Sequence, residues 1–167
     1  MNLIKSSLLA MVLFATVVSC SKDEAVVVEE ADYTIDLNLA QETNWELADA
    51  ILDLVNQHRV SEGLTELKRD QTYASAYAVE HTQYMIRKAM ISHDNFNVRS
   101  KALKERGALI VGENVAYGYE TAEDVVFAWL NSPGHKKIIE GLYTHSGFGI
   151  IQNERGDYYF TQLFYRK

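Results

Sequence analysis

The sequence predicts an α+β fold, a three-layer α-β-α sandwich around a mainly antiparallel sheet. Helical periodicity fills the first part of the domain and strand-like runs close it, an order that segregates helices from sheet. The last run, Asp157 to Tyr165, alternates Tyr158, Phe160 and Phe164 with Tyr159, Leu163 and Tyr165, so both of its faces are apolar and both need cover. With 167 residues, 47% of them hydrophobic, the chain can fill one core, and it shows neither an internal repeat nor a second domain.

Each element has a local reason. Thr43-Asn44-Trp45-Glu46 has the spacing of a capping box, and Leu47, Ile51, Leu54, Val55 and His58 follow at helical intervals until Gly63 stops the run. Asp70 can start a second helix carrying Tyr73, Tyr77, His81 and Tyr84 on one stripe, ending at Ala89 to Ile91. His58 and His81 lie on apolar stripes and read as hydrogen-bonded packing residues. A third helix carries Phe96 and Leu103 and stops at Gly107. Ala108 to Val111 reads as a short strand or extended segment that delivers Glu113 and Asn114 to a cleft. Thr121-Ala122-Glu123-Asp124 starts a helix burying Val125, Val126, Trp129 and Leu130; Ser132 and Pro133 then read as N-cap and first residue of a short one. Ser146 to Gln152 and Asp157 to Tyr165 are strands joined by a loop of hairpin composition, Asn153 to Gly156.

The amino terminus follows a different logic. Lys5 precedes an apolar run, Leu8 to Val18, too short for a permanent membrane helix, and small Ser19 precedes Cys20, the only cysteine. V-V-S-C resembles the lipobox of bacterial lipoproteins, which implies a signal peptide over residues 1–19 and lipidation of Cys20. Residues 20–42 read as an acidic tether, and 43–167 as the domain. Val26 to Val28 are apolar enough for part of the tether to dock, and Lys22-Asp23-Glu24 is similar to a surface-display signal. A membrane-anchored monomer in a bacterial cell envelope is expected, stabilised by packing without disulfides. The formal charge of −7 and the lack of any Lys/Arg run exclude nucleic acid as a partner.

Three titratable residues sit in short signatures that packing does not require: His93 in I-S-H-D-N-F, Glu113 in G-E-N-V-A and His135 in N-S-P-G-H. They are too far apart for one helix face and lack the local H-E-x-x-H spacing, so only the tertiary fold can bring them together. In the first turn of its helix, His135 meets a positive dipole potential that favours the neutral imidazole.

These motifs continue a series: L-V-N-Q-H-R-V-S-E-G-L from Leu54, H-T-Q-Y-M from His81, A-W-L-N-S-P-G-H, G-F-G-I and Y-F-T-Q-L-F ending at Phe164. The chain thereby resembles the bacterial branch of the CAP superfamily, the cysteine-rich secretory proteins, antigen 5 and pathogenesis-related proteins, whose SCP-like fold is an α-β-α sandwich. The resemblance implies a cleft where some members hold a divalent metal, often zinc, on two histidines and two glutamates. Carried over by motif, His93 and His135 are the histidines and Glu113 the first glutamate. The second glutamate is replaced by Ser132, and the asparagine usual three residues after S-P-G-H by Ile138.

The cluster to be tested is therefore His93, Glu113, His135, Asn114 and Ser132, with His93 and His135 as candidate metal ligands and Zn2+ as the candidate cofactor. Two functions are open to it. One is a non-catalytic module whose cleft binds a lipid, glycan or peptide. The other is a zinc-dependent hydrolase or peptidase, with the histidines as ligands and Glu113 as general base. Binding is favoured because no nucleophile has a signature of its own: Ser132 lacks the G-x-S-x-G elbow, and capping accounts for it. A cluster that merely pins helices to the sheet is a third reading.

Overall fold

The computed structural model describes residues 34–167. The leader, Cys20, Val26 to Val28 and the tether as far as Tyr33 lie outside the described residues. Thr34 begins a compact unit that runs to Lys167. The folded part thus starts ahead of the expected boundary at Thr43. Ile35 packs against the core, and a 3-10 helix over Leu37–Glu42 buries Ala40, whose carbonyl accepts from the Trp45 indole at 3.1 Å. The acidic composition of residues 20–42 conceals these few apolar anchors.

Helices α1 (Trp45–Ser61), α2 (Tyr73–Lys88), α3 (Phe96–Glu105), α4 (Ala122–Asn131) and α5 (Pro133–Ile139) pack around strands β1 (Lys68–Arg69), β2 (Ile110–Tyr117), β3 (His145–Gln152) and β4 (Tyr158–Arg166). The sheet order is β1-β3-β4-β2, antiparallel except for the parallel β1–β3 pair. Phe160 and Phe164 of β4 join α1, α4 and α5 residues including Ile51, Val55, Val125, Trp129 and Ile139 on one side. Leu163 and Tyr165 join Ala74, Tyr77 and Ala78 of α2 and Leu103 of α3 on the other. The alternation in β4 therefore produces the three layers expected from it. Among the described residues, no helix is long and apolar enough to cross a membrane.

Some local causes differ from those expected. The N-cap of α1 is Asn44, which accepts from the Leu47 amide at 3.1 Å; Thr43 instead donates to the Phe148 carbonyl at 2.7 Å. The capping box is displaced because burying Thr43 against β3 requires its hydroxyl to find a sheet acceptor. Asp70 starts α2 as predicted, accepting from the amides of Thr72, Tyr73 and Ala74. Ser132 is the N-cap of α5 by position, but its side chain makes no capping bond. Pro133 marks the first helical position, where its missing N–H costs nothing. The apolar run at Ala108 to Val111 leads into β2, which begins at Ile110 and continues through Glu113 and Asn114 to Tyr117.

Gly147 and Gly149 bring α2 unusually close to β3. A Cβ on Gly149 would overlap the Ala78 carbonyl, and one on Gly147 would meet the Ala74 backbone. Only residues without a side chain permit this approach. Thr82 joins the layers nearby, donating to the Gly149 carbonyl at 2.9 Å and lying 2.8 Å from the Thr161 hydroxyl.

Candidate functional site: a histidine pair around strand β2

Residues of a strand alternate between faces, so Glu113 points towards α2 and α3 and Asn114 towards α5. Glu113 is buried, and its carboxylate is held at both oxygens. Arg99 Nε donates to Oε2 at 2.8 Å, an Arg99 terminal nitrogen donates to Oε1 at 2.9 Å, and His93 Nδ1 lies 2.8 Å from Oε1. Such a two-pronged guanidinium pair fixes orientation as well as charge. Because the carboxylate accepts, His93 carries a hydrogen on Nδ1 and turns Nε2 outward.

The loop before α3 is fastened to suit. His81, buried on α2, donates from Nε2 to the Ser92 carbonyl at 2.7 Å, and the Asp94 carboxylate accepts from Tyr84 at 2.7 Å. Arg99 also donates to the Asp94 carbonyl at 2.7 Å, and Asn95 takes a left-handed φ of 57° to enter α3. His81 therefore acts as the packing residue that its stripe suggests, while holding the segment that carries His93. Half of the His93 side chain, 53%, is exposed, against 2% for Glu113.

His135 arrives from the other face. Asn114 Nδ2 donates to its carbonyl at 3.3 Å, and its ring centroid lies 6.5 Å from that of Trp129. The Trp129 indole N–H donates to the Val115 carbonyl at 3.2 Å, so α4 and α5 are both tied to β2. Burial, followed by the charge of His93, lowers the His135 pKa from the ordinary 6.5. The dipole of a helix this short is therefore not needed to explain a neutral His135.

The structure joins His93 directly to Glu113 and places His135 beside Asn114. The donor atoms of His93, Glu113 and His135 do not gather within 4.8 Å; among the described residues, the one group of three that does is His58, Glu62 and Glu140. A divalent ion held here would rely on imidazole nitrogen from His93 and His135, with Glu113 orienting the first ring. Such an ion would acidify a bound water. Glu113, 2% exposed behind His93 and Arg99, serves here to orient the imidazole and balance the guanidinium.

Arg99 is the residue that sequence reasoning missed. It shares a face of α3 with Phe96 and Leu103, at i, i+3 and i+7, where a cation on an apolar stripe calls for a buried acid. A second unforeseen feature lies on the α5 side. Asn114 pairs across strands with Gln162, and Asn114 Oδ1 and Gln162 Oε1 are buried without a hydrogen-bond partner. Such carbonyl oxygens require a donor.

Stability should record the neutral histidines. Burial, then Arg99, lowers the His81 pKa, as burial and His93 lower that of His135. On acidification from the ordinary imidazole value of 6.5 the unfolded chain takes up protons first, so the folded state loses stability as pH falls below it. Urea midpoints should therefore decline from pH 6.5 to 5.5, and His135→Gln should make that slope shallower. An unchanged slope in this variant would show that His135 is protonated equally in both states.

Solved structures with this architecture include an outer surface protein from Borrelia burgdorferi, at a TM-score of 0.65 and 22% identity, covering 73% of this chain and 93% of that one. An extracellular protein containing an SCP domain from Bacillus anthracis gives a TM-score of 0.63 at 28% identity, over 77% of this chain and 43% of its own. Two Bacillus subtilis proteins are similar in sequence. Uncharacterized membrane protein YlbC is 37% identical over 122 residues, 70% of this chain and 34% of its own length. Uncharacterized protein YkwD is 34% identical over 108 residues, 62% of this chain and 42% of its own. The chain thus spans between a third and a half of these curated relatives. Residues 52–164, from inside α1 to near the end of β4, match the CAP model, described as the cysteine-rich secretory protein family, and the chain belongs to that family.

Proposed function

We propose that this protein is a lipid-anchored binding module of the bacterial cell envelope, and that the cleft beside β2 takes a donor-rich ligand, a glycan or a peptide. The observation that carries the reading is the commitment of Glu113. A general base needs a lone pair facing substrate, whereas both oxygens of this carboxylate hold Arg99 and His93. What is left facing outward is imidazole: the half-exposed His93 ring, held at Nδ1 by Glu113, and a neutral His135 able to accept. Hydroxyl and amide N–H groups complement such a surface, and a lipid's acyl chain does not.

An envelope or extracellular setting is supported by the names of the relatives, a membrane protein in one case and an extracellular one in another. Lipidation of Cys20 supplies the anchor.

The test is native mass spectrometry of the protein recovered from its own envelope. A ligand adduct is expected on the wild type, with occupancy reduced at least about tenfold in a His93→Ala/His135→Ala double variant of unchanged melting temperature. Equal occupancy in both would remove the cleft from the reading. Turnover of a peptide or glycan by wild type, with zinc present at one equivalent and no stable adduct, would favour the hydrolase.

A further inference from the structure

We infer that His58, Glu62 and Glu140 form a divalent-metal site, distinct from the cleft, where the end of α1 meets the end of α5. His58 Nε2 lies 3.0 Å from Glu140 Oε1, and one ligating atom from each of the three residues falls within 4.8 Å of the others. Bonds of about 2.0–2.2 Å from one ion to an imidazole nitrogen and carboxylate oxygens place those atoms a little over 3 Å apart. This separation is compatible with the cluster without any element moving. One nitrogen and two oxygen donors suit Zn2+ and its first-row neighbours, and three protein ligands leave a position for water.

The two carriers of the site are locked together, so little reorganisation is needed on binding. Arg59, adjacent to His58, is buried and donates to the carbonyls of Ile139, Gly141 and Tyr143, which bracket Glu140, and to that of Thr65 at 2.9 Å. His58 and Glu62 are one helical turn apart on α1 and its C-cap and so project to the same side. His58 Nε2 now donates to Glu140, and on binding that hydrogen shifts to Nδ1 while the ion takes its place between the two ligands. Glu62 is exposed, which leaves the ion a route from solvent.

One neighbour competes. The Lys136 ammonium lies 3.5 Å from Glu140 Oε1 on the same helix. A bound ion displaces it, so this lysine sets the affinity by occupying the site as an internal cation.

The experiment is calorimetric titration of Zn2+ into purified full-length protein at pH 7, in a His93→Ala/His135→Ala background that silences the cleft. One equivalent is expected to bind. His58→Ala in that background should weaken binding at least about tenfold, since even outer-sphere partners of metal ligands have effects of that size. Lys136→Met, a change at a half-exposed position with little risk to folding, should strengthen it by a few-fold, and a purely structural His58–Glu140 bond offers no reason for that gain. No Zn2+ uptake in the folded background variant, unaltered uptake in folded His58→Ala, or no gain in Lys136→Met would overturn the site. None of these readouts depends on the cleft ligand, so this inference and the proposed function stand or fall separately.

Discussion

Replacing Arg99 by Met is expected to lower the unfolding free energy by roughly 3–5 kcal/mol, the usual result of removing one partner from a buried ion pair. Arg99 and Glu113 side chains are 4% and 2% exposed, and two guanidinium nitrogens reach the carboxylate. Met occupies much of the arginine's volume, so the loss is mainly electrostatic. It leaves Glu113 either charged in a poorly solvated site or protonated at a cost. The control is Arg99→Met with Glu113→Gln, which removes the stranded charge and should recover part of the stability. Urea denaturation followed by circular dichroism reads both. A fall of less than about 1 kcal/mol for the single variant would mean that water reaches Glu113 and that the pair behaves as a surface bridge.

Arg59→Leu should also be costly, roughly 2–5 kcal/mol, for a different reason. Where Arg99 meets a carboxylate, Arg59 spends its donors on backbone carbonyls, those of Thr65, Ile139, Gly141 and Tyr143. Burial lowers its pKa from the usual arginine range, which reports how little solvent compensates the charge. Leucine restores part of the volume but leaves carbonyls without donors, each costing about 1–3 kcal/mol where water cannot enter. A thermal melt alongside Asp49→Ala gives the comparison: that exposed partner of Arg69 should contribute under about 1 kcal/mol. Equal losses in the two variants would refute the account of Arg59 as the clasp between α1 and α5.

The fold was largely legible in the residues because it follows from pattern. The stripe from Leu47 to Val55 and the two-sided β4 are consequences of one core between helices, and periodicity records them directly. Strand β2 was only half legible. Its polar Glu113 and Asn114 are buried by partners from α3 and α5, and pairing of that kind leaves no period in the sequence. β1, two residues long, is too short to carry any pattern. Around β2, motif order singled out His93, Glu113 and His135 as candidates, but not which of them touch. The link was Arg99, whose meaning depends on an acid many residues further along the chain. Ser132 shows the reverse case. Its capping role followed correctly from Ser-Pro spacing as a position, and the hydroxyl still does not make the bond.

The narrow spacing between α2 and β3 has a consequence for how the cleft can change. Because Gly147 and Gly149 act as spacers of zero thickness beneath Ala74 and Ala78, any methyl added there would lever α2 outward. The segment bearing His93 hangs from the far end of that helix through His81 and Tyr84. Two hydrogens on the sheet therefore set the height at which α2 carries the loop of residue 93.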